Sequence, residues 1–576
     1  MSRAVFCSQD ENGKGWDACL ENALAIHVAR RMGDVVPVLR LAEAEAARGR
    51  WVAVAVAYEA APAFDPALRV HPAELPLVWV AVFGEASPSR RDGGGSWQVS
   101  EWRPQVPRGA YTQAIHRIKD YIAAGDTYQV NYTFPLSADF EGDPAGWFSA
   151  LCRAQRAGFC ADLDMGRYRV LSLSPELLFE QADGQITLRP MKGTMSRGRW
   201  CDEDLRLADT LAASAKNRAE NVMIVDLLRS DLGRIAAYGT VRVPRLFDVE
   251  RYPTVFQMTS TIEARARPGT GLVDLLAALF PSGSVTGAPK IRAVEIIREL
   301  EPFPRGIYTG AIGLLRPGGS AVFNVAIRTI VLDSDTRRAT LSVGGGVTWD
   351  STAEDEYEEC LLKASFAGET QPAFDLLETL RLEDGSCRLL ERHLRRIRAS
   401  AGYFGFRWDE RRTGRALEEC RAGHPRGLWR VRLTLSREGV PSVSAEPLPA
   451  DLPSGGRVAL ASEPVNSGDR FLFHKTTNRA TYDRLRAARP DGFDVILWNE
   501  RGEVTESCIA NVVAVLDGKK YTPPVSSGLL QGVFREELLE RGEILERVIR
   551  KEDLRRAERL FLVNSLRGWM PLHLTD

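Results

Sequence analysis

The run Gly368–Pro372 (GETQP) constrains this fold more than any other feature, because it breaks a pattern that continues on either side. From about residue 108 to 365 helical and strand periodicities alternate, and many segments carry both signals. Beyond the break a second α+β stretch runs to residue 576. A chain of 576 residues also exceeds what one hydrophobic core supports, from about 250–300 residues upward. The expected organisation is 1–107 as the amino-terminal part of a first domain, 108–367 as its body, 368–372 as linker and 373–576 as a second domain. Trp51–Tyr58 and Leu77–Phe83 read as short apolar strands, Ser87–Ser96 as an exposed loop, and Pro447–Gly456 as a divider of the second domain into two lobes.

Charge excludes some partners. The net charge is −1 with no block of like charges, so neither nucleic acid nor a membrane surface is expected. Trp51–Ala57 and Leu272–Phe280 are the longest apolar stretches, too short to span a bilayer. Met1–Asp10 carries no basic and apolar leader pattern, and nine unpatterned cysteines suit reduced thiols, so a cytoplasmic protein without disulfides or a zinc site is expected.

Only ten of the 75 basic residues are lysine, and lysine, unlike arginine, can lose its proton and act as a nucleophile. Two lysines stand out. The first, Lys192, follows two apolar runs, Arg169–Glu180 and Gln185–Pro190, joined across Asp183–Gly184, a hairpin signal. A loop centred near Gly184 sets Glu176 level with Lys192. Spacing alone favours a solvated cross-strand salt bridge.

The surrounding motifs are more specific. They are Ser174–Glu176 (SPE), Arg189–Thr194 (RPMKGT), Ala219–Arg234, Pro281–Lys290 (PSGSVTGAPK) and Glu356–Lys363 (EYEECLLK). Together, in this order over about 108–365, they closely resemble the chorismate-utilising enzymes: anthranilate, aminodeoxychorismate, isochorismate and salicylate synthases. The resemblance implies a two-lobed antiparallel β-sandwich flanked by helices, within an α+β multidomain chain. It also implies a Mg²⁺ site with Glu220 and Glu359 as ligands and Glu356 acting through water. The residue types suit a hard cation: Glu356 and Glu359 are i,i+3 on one helix face, and Glu220 starts another predicted helix. Thr286, Gly287, Tyr308, Arg328, Gly345, Gly346 and Lys363 match positions that hold the substrate chorismate. Ser284–Lys290 is expected to open a helix, offering free N–H groups to an anion, with Lys290 in a structural role.

Two positions discriminate within the resemblance. Isochorismate and salicylate synthases carry a water-activating lysine where this chain has Gln129, and anthranilate synthases carry alanine where it has Lys192. A lysine there implies aminodeoxychorismate synthesis: the amine attacks C2, the C4 hydroxyl leaves with Glu176 as general acid, and ammonia then adds at C4. Gln257 departs from relatives that carry histidine, leaving the hydroxyl-side contact open. No Gly-x-Cys-x-Gly elbow is present, so a glutamine amidotransferase subunit is the implied ammonia source. The amino-terminal 105 residues are short for the family.

The second lysine, Lys475, is alone between 364 and 518 and lies in Phe473–Arg479 (FHKTTNR). Glu503–Val513 and Gly528–Arg535 (GLLQGVFR) follow. This half, 373–576, resembles the fold-type-IV pyridoxal phosphate (PLP) enzymes, a further α+β domain. The resemblance implies Lys475 as the catalytic and PLP-holding lysine and Glu506 as the acid at the pyridine nitrogen. It places the phosphate on Arg396, Ser565 and the Val533 and Phe534 amides after Gly532. His474 reads as packed or solvent-facing. If the two halves act in sequence, the second eliminates pyruvate from aminodeoxychorismate to give 4-aminobenzoate. A branched-chain or D-amino-acid transaminase and a non-catalytic dimerisation module remain the alternatives. Fold-type-IV relatives also imply a homodimer through this domain.

Overall fold

The computed structural model describes residues 2–8, 16–88, 94–368, 373–449, 456–489 and 492–575. The linker expected at 368–372 therefore lies, apart from Gly368, outside the described residues, as do the centres of the Ser87–Ser96 and Pro447–Gly456 stretches. Two compact units form: one from 1–196 and 208–371, the other from 197–207 and 372–576. The second unit thus takes in Arg197–Leu207, eleven residues that lie within the segment 108–367.

The first unit contains two ten-stranded sheets, antiparallel throughout the described residues. One runs Gly287–Ala288, Gln129–Gly142, Arg338–Val347, Thr329–Asp333, Tyr168–Ser174, Phe159–Asp164, Arg3–Cys7, Ala18–Glu21. The other runs Met191–Ser196, Val255–Arg265, Gln185–Arg189, Leu177–Ala182, Ala321–Val325, Ala311–Leu315, Trp51–Val56, Val78–Phe83, Ala25–Ala29.

Period-two patterning explains why the central strands read as continuous apolar runs. Val52, Val54 and Val56 pack with the helices Met32–Ala47 and Leu272–Leu279. Ala53 and Ala55 face the opposite way, into a core shared with Phe6 and Ala161 of the other sheet. Both faces are buried, so alternation of polarity disappears, and each valine contributes roughly 1.5–3 kcal/mol by leaving water.

The hairpin predicted around Gly184 forms, but its register corrects the expectation. Asp183 and Gly184 both have positive φ (51° and 73°), a two-residue turn that pairs Ala182 with Gln185. A shift between Leu177 and Glu180 then sets Leu177 opposite Arg189. Lys192 lies beyond Pro190 on its own strand, Met191–Ser196, which pairs with Val255–Arg265. Glu176 and Lys192 are therefore not directly opposed.

One smaller expectation also changes. Glu220 sits in the second turn of the helix Ala215–Gly233 rather than at its start, while Gly344–Gly346 lies inside the strand Arg338–Val347. The nine cysteines are all reduced, yet strand pairing sets Cys7 opposite Cys160, and with Cys152 they form a buried cluster whose sulfurs lie within 4.8 Å of one another.

The second unit has a four-stranded antiparallel sheet (Ser386–Cys387, Leu376–Glu383, Leu428–Leu435, Pro441–Pro447) and an eight-stranded mixed sheet that includes Val504–Ser507, Asn511–Leu516 and Arg559–Asn564. Among the described residues no helix is long and apolar enough to cross a membrane.

Candidate functional site

In the first unit a cavity of about 480 Å³ is lined by Glu176, Lys192, Glu220, Tyr308, Arg328, Gly345, Gly346, Glu356, Glu359 and Lys363. Glu176 is buried and accepts a 2.6 Å hydrogen bond from the Ser284 hydroxyl. Burial pushes its carboxyl up to about 7, although the Ser284 bond and the Lys192 charge pull the other way. Burial also lowers Lys192, helped by the like charge of Lys363 and opposed by Glu220, Glu359 and Glu356. A carboxyl held up and an amine held down by burial in one cavity are residue types that can serve as general acid and nucleophile.

Glycines make the room. A Cβ at Gly346 would overlap the Lys192 Nζ and come within 2.8 Å of Gln129 Nε2, and one at Gly345 would press on Glu356 Oε2. The strand of Lys192 is tied down on both edges: Gln257 Nε2 donates to Gly193 O at 3.0 Å, Thr194 Oγ1 donates to Gln257 Oε1 at 3.0 Å, and Asn221 Nδ2 donates to Lys192 O at 3.4 Å. Gln257 thus positions the backbone around Lys192, a role its departure from histidine did not suggest.

The carboxylates come from two helices, Ala215–Gly233 and Ala353–Ala364. Ser351 Oγ donates to Glu356 Oε1 at 2.7 Å, and Lys363 pairs with Glu359 at 2.7 Å while donating to Gly344 O at 3.0 Å. Glu220, Glu356 and Glu359 give the cavity carboxylate oxygens, the ligand type that a hard divalent cation such as Mg²⁺ takes.

Two expected substrate contacts are not brought to this cavity. The Thr286 hydroxyl donates to Ser282 O at 2.9 Å, and Gly287 is pressed against the Gln129 backbone, where a Cβ would overlap Gln129 O. Ser284 and Val285 line the cavity instead. Pro289 caps the helix Lys290–Leu300 from outside it, and Lys290 pairs with Asp231 at 2.6 Å, a structural role.

Arg305, missed in the sequence, braces this wall. Fully buried, it donates to Val285 O (2.9 Å), Asn131 O (2.7 Å) and both oxygens of Glu301 (2.8 and 2.7 Å). Arg305→Leu leaves Glu301 charged and unpaired, so the first unit is expected to lose about 3–5 kcal/mol in urea unfolding.

In the second unit a cavity of about 300 Å³ is lined by Lys475, Glu506, Arg396, Val533 and Ser565, together with Tyr482 and Asn511. Burial lowers Lys475 to about 8, and the Arg396 charge adds to this. Burial raises Glu506 to about 8 while Tyr482 Oη donates to it at 2.7 Å and Asn511 Nδ2 at 3.3 Å. Arg396 is aimed by a buried carboxylate: Glu378 accepts from its Nε and Nη2 at 2.8 and 2.7 Å, and His393 Nδ1 lies 2.6 Å from the same carboxylate. Gly532 caps the helix Val533–Glu540 without a side-chain hydrogen bond to its first amides, and packs so closely on Asn511 Oδ1 that a Cβ would overlap it. Phe534 is buried beside this cavity rather than on its wall, so only its backbone amide can serve. A lysine, an acid, an arginine and open helix amides in one cavity are a donor set that fits PLP. His474 is packed: it meets Ser400 Oγ at 2.9 Å and lies tilted against the Tyr403 ring, and burial holds it at about 3, hence neutral.

Comparison with known proteins gives the families of the two halves. The family model described as chorismate binding enzyme matches residues 71–368, more than half of the chain. The chain belongs to the chorismate binding enzyme family. A second model, amino-transferase class IV, matches residues 375–574. Aminodeoxychorismate synthase component 1 of Salmonella typhimurium (strain LT2) is 43% identical over 267 residues, 46% of this chain and 58% of that protein. Anthranilate synthase component 1 of Thermus thermophilus is 40% identical over 277 residues, 48% of this chain and 59% of that protein. The chain thus spans under two thirds of the length of these curated relatives. Anthranilate synthase component I from Streptococcus pneumoniae TIGR4 superposes with a TM-score of 0.53 at 23% identity, covering 64% of this chain and 92% of that one, which shows the shared fold.

Tyr482, Asn511, Glu378 and His393 were not singled out from the sequence. Asn511 lay inside a quoted motif, five residues past Glu506, and the pairing of Glu506 with Asn511 across a tight strand connection gives it its role. Glu378 and His393 carry no local signal; they meet because the helix Leu390–Phe404 packs on the strand Leu376–Glu383.

Proposed function

We propose that this chain makes 4-aminobenzoate from chorismate and ammonia in two steps, and that it works in the cytoplasm. The observation that carries the reading is the Lys192 amine, made room for by Gly346 and facing the carboxylates of a chorismate-family cavity that also holds the buried acid Glu176. In the first step neutral Lys192 attacks C2 of chorismate, the double bond shifts, and the C4 hydroxyl leaves as water with the Glu176 proton. Ammonia then adds at C4 and Lys192 departs from C2, giving 4-amino-4-deoxychorismate. Mg²⁺, held by Glu220, Glu359 and Glu356, would neutralise the substrate's carboxylates. Ammonia comes from a glutamine amidotransferase partner, and a homodimer through the second unit completes the assembly.

In the second step PLP, when bound, supplies an electron sink at the substrate's amino-bearing carbon. Lys475 takes the C4 proton, Glu506 keeps the pyridine side protonated, and Arg396 with the Val533 and Phe534 amides and Ser565 holds the phosphate. Loss of the enolpyruvyl group as pyruvate aromatises the ring. The cavity supports this lyase reading over a branched-chain transaminase. Arg430 and Arg432, two apart on one strand face, and Arg567 line it, and such a wall suits a dicarboxylate better than an aliphatic side chain.

The test supplies the pure chain with chorismate, Mg²⁺, ammonium and PLP. Accumulation of 4-aminobenzoate with equimolar pyruvate is expected; anthranilate as product would sink the role of Lys192, and amino exchange with 2-oxoglutarate would sink the lyase. The pH profile follows from the same groups. The acid form of Glu176 persists up to about 7, so the first step should slow above that pH, and it should slow at low pH as Lys192 gains its proton. Glu176→Gln should lower the rate by about 10²–10⁴ and remove the fall above neutrality, read from initial rates across pH.

A further inference from the structure

We infer that residues 197–207 are a working part of the PLP-side unit and that Trp200 is a positioning residue for Lys475. This rests on the reading of Lys475 as the PLP lysine. The segment is contributed from between Lys192 and Glu220 in the sequence, yet it is built into the second unit. Its anchor is a buried ion pair: Arg197 Nε and Nη2 donate to Asp204 at 2.6 and 2.8 Å, with both side chains at most 6% exposed. Such a pair is costly to bury unless its remaining groups are also bonded. Here they are: Arg197 Nη2 donates to Tyr403 O at 2.9 Å, and Gly198 N donates to Asp204 Oδ1 at 2.9 Å. A Cβ at Gly198 would overlap the Asp204 backbone, so the tight turn needs its glycine.

The segment then grips the peptide that carries Lys475. Trp200 stacks on Phe473, two residues before the lysine, with centroids 5.3 Å apart and planes at 27°. Arg199 covers both rings at 4.8 and 5.6 Å, and donates to Ser467 O at 3.4 Å. Tyr403 Oη donates to Gly198 O at 2.6 Å while its ring lies 4.2 Å from His474, the residue next to the lysine. From the other direction Leu377 N donates to Lys475 O at 3.0 Å. Phe473 also shares its core with Tyr482 and Cys508, which line the Lys475 cavity. Phe473–Lys475 is thus held between the strand Leu376–Glu383 and a segment from the chorismate-family half of the sequence. Chain continuity therefore makes the second site depend on residues flanked by Lys192 and Glu220.

The test uses the full-length chain stripped of PLP, in wild-type, Trp200→Ala and Trp200→Phe forms. PLP affinity and the pH midpoint of the bound cofactor's absorbance are read by titration. Trp200→Ala should weaken PLP binding by about threefold to tenfold, the equivalent of one aromatic stack, and shift the midpoint, while Trp200→Phe restores both. Unchanged affinity and midpoint in Trp200→Ala would overturn the inference while leaving Lys475 as the PLP lysine. Equal losses in the two variants would also overturn it. A wild-type chain that takes up no PLP overturns the reading beneath it as well.

Discussion

Lys192→Ala is expected to abolish formation of 4-amino-4-deoxychorismate, lowering the first-step rate on the order of 10³-fold or more, the scale lost when a covalent nucleophile is removed. The cavity walls should survive, because the strand of Lys192 is held through backbone groups: Gly193 O accepts from Gln257 and Lys192 O from Asn221. Residual amination should move from C4 to C2, because ammonia then meets the carbon that the Lys192 amine would otherwise attack. Product analysis by chromatography decides the point. If the alanine variant still makes the 4-amino product at the wild-type rate, covalent catalysis by Lys192 is wrong.

Lys475→Ala should separate the two halves. Chorismate consumption continues, pyruvate release stops, and the 4-amino intermediate accumulates until a lyase is added. The expected loss in the second step is again about 10³-fold or more, since proton removal at C4 and cofactor attachment both need the amine. Burial holds this lysine near 8, so a substantial fraction is neutral at physiological pH. The Lys475-dependent absorbance of bound PLP should vanish, while Arg396 and the open amides after Gly532 still retain weaker, non-covalent PLP. Continued pyruvate release by the variant would sink the assignment.

Much of the chemistry was readable because it is carried by rare residue types in short motifs. Lysine is scarce in this chain, so Lys192 and Lys475 drew notice, and Glu176 and Glu506 lay in motifs around them. Thr286 and Gly287 lie off the cavity wall for a physical reason. A motif locates a loop, but which of its side chains face the cavity depends on backbone direction, and here Ser284 and Val285 face inward. The hairpin differs for a similar reason: counting from the turn overlooks the register shift and the break at Pro190, so Glu176 sits in the connection before the strand Leu177–Ala182 while Lys192 lies on the separate strand Met191–Ser196.

The sequence by itself determined the two-part organisation, the two candidate lysines with acids in nearby motifs, and the period-two runs of the central strands, because these depend on residue type and local spacing. Tertiary structure alone decided the rest. Arg305 and Glu301, Glu378 with Arg396 and His393, and Trp200 on Phe473 are contacts between residues far apart along the chain or on different elements, except for the Arg305–Glu301 pair, whose purpose is set by the distant carbonyls of Val285 and Asn131. The break at Gly368–Pro372 marks where the pattern changes, yet Arg197–Leu207 joins the unit beyond it through a buried ion pair and the stacking of Trp200 on Phe473, contacts that no local pattern encodes.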